Sequence, residues 1–179
     1  MSARQAPAVA WYLALALVTG GLTFFVWRSL DGSASPRAGA AGTTAPDFSL
    51  PSIDGGSVDL GRYAGSTVVV NFWASWCGPC KDEAATVETA WRRWSRQGVR
   101  FIGVDSQDST DEASAFVEEH GLTYPIGVDP DGRTAREYGV SAMPQTFVIS
   151  RDGRVSDRII GPVTQNGLGR AIDAATAPS

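Results

Sequence analysis

One segment restricts the architecture more than any other. Residues 67–73, Thr-Val-Val-Val-Asn-Phe-Trp, make an apolar, β-branched run of strand length without the polar alternation of a half-wetted sheet. After Ala74-Ser75-Trp76 comes Cys77-Gly78-Pro79-Cys80. Behind it Val87, Ala90, Trp91 and Trp94 recur at helical spacing, and Gly98 supplies a stop. A chain that passes from buried strand to helix through two cysteines sets its thiols at a helix N-terminus. Unpaired N–H groups and the helix dipole there favour an anion, and the thiolate is the nucleophilic form of cysteine. Pro79 fits a first turn, where its missing N–H does no harm. The arrangement predicts Cys77 as an attacking thiol and Cys80, one turn on, as the resolving thiol of a disulfide-exchange site. The alternatives are a buried structural pair or half of a metal site.

The rest of the composition narrows these choices. The chain has two cysteines in 179 residues, and His120 is its single histidine. A disulfide scaffold needs several bridges, and a tetrahedral zinc site needs four ligands. Met143 and one distant histidine are poor support for a copper-carrying role. A formal charge of −4 carries no basic footprint, so no nucleic-acid partner is expected.

Residues 9–27 are free of charge and would span roughly 28 Å as a helix, close to the hydrocarbon thickness of a bilayer. Trp11, Tyr12 and Trp27 lie near its ends, where aromatic rings favour the interface. A secretory signal has a shorter apolar stretch with a small-residue cleavage site close behind; Ala38-Gly39-Ala40 lies far downstream. Residues 1–8 are therefore expected on the cytoplasmic side, 9–27 as a transmembrane signal-anchor, 28–44 as a flexible linker rich in Gly, Ala and Ser, and 45–179 as the folded domain. Secretion after signal cleavage is the alternative. A lipoprotein is excluded, because no cysteine near the segment is available for acylation.

Within the domain, Phe48-Ser-Leu50 and Ser57-Val-Asp-Leu60 flank Asp54-Gly55-Gly56, a hairpin signal. A strand is predicted over 99–104. Ser109-Thr-Asp-Glu112 is a capping box opening a helix to about His120, with Gly121 as terminator. Residues 105–111 are rich in aspartate but lack the glycine of a calcium loop, and read as a solvated turn feeding that cap. A short strand over 124–128, a turn at Asp129-Pro-Asp-Gly132, a short helix over 134–138, a hairpin of 145–150 with 155–161, and a helix over 164–175 complete the order. This alternation implies an α/β fold, a mixed central sheet with helices on both faces. Trp73, Trp91 and Trp94 read as packing residues, and His120 as structural or surface.

Phe72-Trp-Ala-Ser-Trp-Cys-Gly-Pro-Cys-Lys81 resembles the active-site strand and helix start of thioredoxins, and Met143-Pro144-Gln-Thr-Phe147 resembles their cis-proline loop. With the anchor and the opening Ala45-Pro-Asp-Phe-Ser-Leu50, the chain is similar to the TlpA/ResA-like branch of the thioredoxin superfamily, membrane-anchored thiol–disulfide oxidoreductases outside the cytoplasm. The resemblance implies a thioredoxin fold with an N-terminal β-hairpin extension and a central insertion. It implies that Pro144 packs on the disulfide and that the backbone of Met143 pairs with substrate. Glu83 would handle the proton of the resolving thiol, since thioredoxin's buried aspartate aligns with Asn71, which takes no proton. Trp76, Gly78 and Pro79 belong to the active-site motif, Trp76 as an apolar docking platform. The peroxiredoxins also share features ahead of Cys77, but their proline and threonine align with Val70 and Ala74, so peroxidase activity is not expected.

No cofactor beyond the redox-active Cys77–Cys80 pair is implied. The implied partners are disulfide-containing exported proteins, apocytochrome c among them, and a membrane electron donor. A disulfide oxidase or isomerase, and a redox-sensing or metallochaperone module, are the alternatives.

Overall fold

The computed structural model describes residues 39–177. The expected cytoplasmic N-terminus, the transmembrane segment over 9–27 and most of the linker lie outside the described residues. Among those described, no helix is long and apolar enough to cross a membrane.

A hairpin of β1 (Ser49–Pro51) and β2 (Ser57–Asp59) leads through a 3₁₀ turn into β3 (Val68–Trp73). Helix α1 (Gly78–Trp94), β4 (Arg100–Ser106), α2 (Thr110–His120), β5 (Ile126–Asp129) and α3 (Arg133–Glu137) follow, then β6 (Gln145–Ile149), β7 (Val155–Ile160) and α4 (Gln165–Thr176). The main sheet has the order β5-β4-β3-β6-β7. Strands β3, β4 and β5 run parallel, and β6 and β7 are antiparallel to their neighbours. This is the thioredoxin fold, with the hairpin added before β3 and the α2–β5 segment between β4 and the closing hairpin.

All six residues of β3 are buried, which explains its continuous apolar run: a central strand covered on both faces needs no polar alternation. Side chains divide by the period of two. Val69 and Trp73 join Phe101 and Val148 in one core with α1, α2 and α4, which also holds Cys77 and Cys80. Val68, Val70 and Phe72 join Ile102, Val104 and Phe147 in a second core on the other face, with Phe48, Leu50 and Tyr138.

The fold takes in chain ahead of the expected start at Ala45. The Gly42 N–H donates to the Val155 carbonyl at 2.7 Å, and the Val155 N–H donates to the Thr43 carbonyl at 2.9 Å. Gly39 has φ 78° and lies so close to Tyr138 that an added Cβ would stand 2.3 Å from the Tyr138 carbonyl oxygen, leaving room for glycine alone. The capping box is present as read. The Ser109 hydroxyl accepts from the Glu112 N–H, the Ser109 N–H reaches the Glu112 carboxylate, and Gly121 closes α2 at φ 61°.

Candidate active site

The cysteine pair sits where β3 delivers the chain to α1. Cys77 is the N-cap residue of α1 and Pro79 lies in its first turn. No side chain caps this end. The N–H groups of Cys80 and Lys81 turn back on the Cys77 carbonyl at 3.1 and 3.3 Å. The two sulfurs are joined as a disulfide with the Cα atoms 5.3 Å apart. Both cysteines are buried to within a few per cent, whereas Gly78 and Pro79 are exposed.

Two loops frame the pair. The Met143–Pro144 peptide bond is cis, as the resemblance implied. The Pro144 carbonyl accepts from the Gly161 N–H at 2.9 Å. Behind this loop Gln145 is 1 % exposed; its Nε2 donates to the Ala142 carbonyl at 2.8 Å and its Oε1 accepts from Arg158 Nε and Nη2 at 3.0 and 2.7 Å. Arg158 also reaches the Gly139 carbonyl at 2.7 Å and lies 5.2 Å over the Phe147 ring. The second loop follows β4. Asp108 accepts the Ser75 N–H at 2.7 Å, and Trp76 Nε1 donates to the Gln107 carbonyl at 3.1 Å. Trp76 is 59 % exposed, one of two large apolar side chains so exposed among the described residues; the other, Ile160, is the ladder partner of Gln145, beside Pro144. Trp76 thus presents an exposed apolar side chain next to Cys77 in the chain.

Glu83 lies three residues past Cys80 on α1 and is only 2 % exposed. Asn71 Nδ2 donates to its Oε1 at 2.8 Å, and the Val163 N–H to its Oε2 at 2.8 Å. Burial pushes its pKa above the ordinary carboxylate value, against the pull of these two bonds. Asn71 also donates to Thr146 Oγ1 at 3.0 Å, so β3, β6 and α1 meet at this carboxyl. A buried carboxyl with a raised pKa holds its proton to higher pH than a surface glutamate does.

One expectation is corrected. The sequence places Asp105 in a solvated turn, but it lies near the end of β4 with no exposed surface, because the strand runs two residues past Val104. Burial, then repulsion from Asp108, Glu112 and Asp129, pushes its pKa up to about 8. Asp108 goes the other way: burial opposes ionisation, but hydrogen bonds led by those from Ser75 hold it below the usual range. The aspartate cluster gave no sequence signal of this, since only strand length decides which member is enclosed. The Gln145–Arg158 contact is equally silent, because it depends on β6–β7 register. Trp94 is buried; Trp91 is partly buried and donates through Nε1 to Thr123 Oγ1 at 3.1 Å. The ring of His120 packs on Phe116 at 4.3 Å.

No group of three or more potential ligands that could hold a metal ion occurs among the described residues.

Known proteins agree with this geometry. The AhpC/TSA family pattern matches residues 41–158. Thiol-disulfide oxidoreductase ResA of Geobacillus thermodenitrificans is 34% identical over 135 residues, covering 75% of this chain and 78% of that protein. Thiol:disulfide interchange protein HelX of Rhodobacter capsulatus is 33% identical over 171 residues, covering 93% and 94%. A Chlorobium tepidum structure assigned as thiol:disulfide interchange protein DsbE superposes with a TM-score of 0.70 at 34% identity, covering 75% of this chain and 96% of that one. With a cysteine pair at the N-terminus of α1 and relatives named for disulfide exchange, the chain belongs to the AhpC/TSA family and is a thiol–disulfide oxidoreductase of its TlpA/ResA-like branch.

Proposed function

We propose that this oxidoreductase works as a reductase of disulfides in exported proteins, apocytochrome c among them, from a domain tethered outside the cytoplasm by residues 9–27. The observation that carries the reading is the buried Glu83, placed one helical turn behind Cys80 and held by Asn71 and Val163. In the reduced enzyme the Cys77 thiolate attacks a substrate disulfide. One S–S bond forms, one breaks, and a substrate thiolate leaves. Cys80 then attacks the Cys77 sulfur, so that the Cys77–Cys80 bond forms and the second substrate thiolate departs with the electron pair. Glu83 takes the Cys80 proton and returns it when a membrane electron donor reduces the pair. Trp76 and the backbone of Met143, beside Pro144, bear the substrate chain.

Glu83→Gln is expected to slow exchange about a hundredfold, the usual worth of a positioned proton carrier. Stopped-flow turnover against a disulfide peptide checks this, and a rate within a factor of about two of the native one removes Glu83 from the mechanism.

The direction of electron flow is tested in growing cells. Acid quenching followed by alkylation with a mobility-shifting thiol reagent is expected to show Cys77 and Cys80 mostly reduced. A mostly oxidised pair would reverse the assignment, in favour of disulfide formation or isomerisation.

A further inference from the structure

Asp105 has no role in the scheme above, and its surroundings are unusual. It has no exposed surface, and neither carboxyl oxygen meets an N–H or O–H donor. Its ladder partner on β3 is Trp73, whose indole N–H is also buried without an acceptor. An ionised carboxylate left this way is among the costliest groups a protein can bury. The Asp108 carboxyl acts on it both by its charge and through a side-chain hydrogen bond. Two carboxyls bond to each other only when one carries a proton. Asp108 is the ionised member, accepting the Ser75 N–H at 2.7 Å and the Ser109 N–H at 3.0 Å. The acid that carries the proton is therefore Asp105.

The charged groups acting on Asp105 come from three neighbouring elements: Asp108 from the loop after β4, Glu112 from the first turn of α2, and Asp129 from the end of β5. The charges acting most strongly are acidic, and with burial they keep the proton on Asp105 up to about pH 8.

Asp108 belongs to the clamp that holds the loop ahead of Cys77. Ser75 is fastened to Asp108, and Trp76 to the Gln107 carbonyl. Gln107 is the one non-glycine residue with positive φ among those described, at 60°, and its N–H is tied to the Asp129 carbonyl at 3.0 Å. We propose that Asp105 is a positioning residue for disulfide exchange: by sharing its proton with Asp108 it keeps that carboxylate on the Ser75 N–H and so holds the Ser75–Trp76 loop in place beside the cysteines. When the proton leaves to solvent, two carboxylates face each other within hydrogen-bonding reach. Asp108 is pushed from Ser75, and the docking surface around Trp76 loosens.

The inference rests on the reading of Trp76 as a docking platform, but its primary test needs no substrate and no direction of electron flow. The indole N–H resonances of Trp73 and Trp76 are followed against pH in the ¹⁵N-labelled full chain with the disulfide intact, so that neither cysteine titrates. Both are expected to move together with a midpoint near pH 8. The movement should vanish in Asp105→Asn, whose amide donates to Asp108 at every pH. Asp108→Asn, which removes the largest neighbouring charge, should bring the midpoint down by about one pH unit. Persistence of the transition in Asp105→Asn would overturn the proposal. If that variant does not fold, an unmoved midpoint in Asp108→Asn does the same. The second arm is kinetic. KM for a disulfide peptide should rise about tenfold through the same midpoint in the native enzyme, the low end of the factor expected from one lost hydrogen bond to a charged group, and stay flat in Asp105→Asn. A KM that ignores the transition would leave Asp105 a titrating group with no positioning role.

Discussion

Cys77→Ser should lose disulfide exchange by about a thousandfold or more, because a serine hydroxyl neither ionises near neutrality nor bonds reversibly to sulfur. Its partner substitution has the opposite appearance. Cys80→Ser leaves the attacking thiol at the head of α1, where the chain enters the helix through an exposed Gly78-Pro79. Attack proceeds, but no second thiol completes the exchange, and mixed disulfides with the true substrates accumulate. Non-reducing gels read both results, and mass spectrometry of the trapped species names the partners. Equal trapping by both variants, or full turnover in Cys77→Ser, would reverse or remove the assigned roles.

The second large effect concerns stability. Tyr138 has no exposed surface and packs on Phe48, Phe72 and Phe147 with ring centroids 6.1, 5.1 and 5.0 Å away. Its hydroxyl donates to the Pro46 carbonyl at 2.7 Å. Tyr138→Ala removes the ring that joins α3 and the first described segment to the second core. A cost of about 4 kcal/mol is expected, with a fall in Tm of about 10 °C. Tyr138→Phe keeps the packing and loses only the bond to Pro46, so about 1 kcal/mol is expected. Thermal unfolding of the pair separates the two contributions. Similar losses in both variants would mean that the hydroxyl, not the ring, holds this core.

Much of this architecture was legible because a few patterns leave little choice. The buried run over 67–73 can only be a central strand, and the cysteines that end it can only open the helix that follows. The Ser109–Glu112 box and the turn glycines place element boundaries to within a few residues. Met143-Pro144 was legible through resemblance rather than through spacing. What escaped depends on contacts between distant segments. Asp105 sits in an acidic run that looks solvated until β4 is extended by two residues. Arg158 and Gln145 meet only because β6 and β7 pair in a particular register. Gly39 to Thr44 have the composition of a tether, yet they are hydrogen-bonded to β7, since backbone groups pair without regard to side-chain identity.

That last segment has a mechanical consequence. It is moored on the sheet face formed by Tyr138 and Phe147, while the cysteines lie in the core of the opposite face. Tension arriving through residue 39 is borne first by the bonds of Gly42 and Thr43 to Val155 and by the contact with Tyr138. The five-stranded sheet stands between this line of force and the sulfurs. In the proposed anchored form, this mooring would let a pull on residue 39 reach the sheet without passing through the geometry around Cys77.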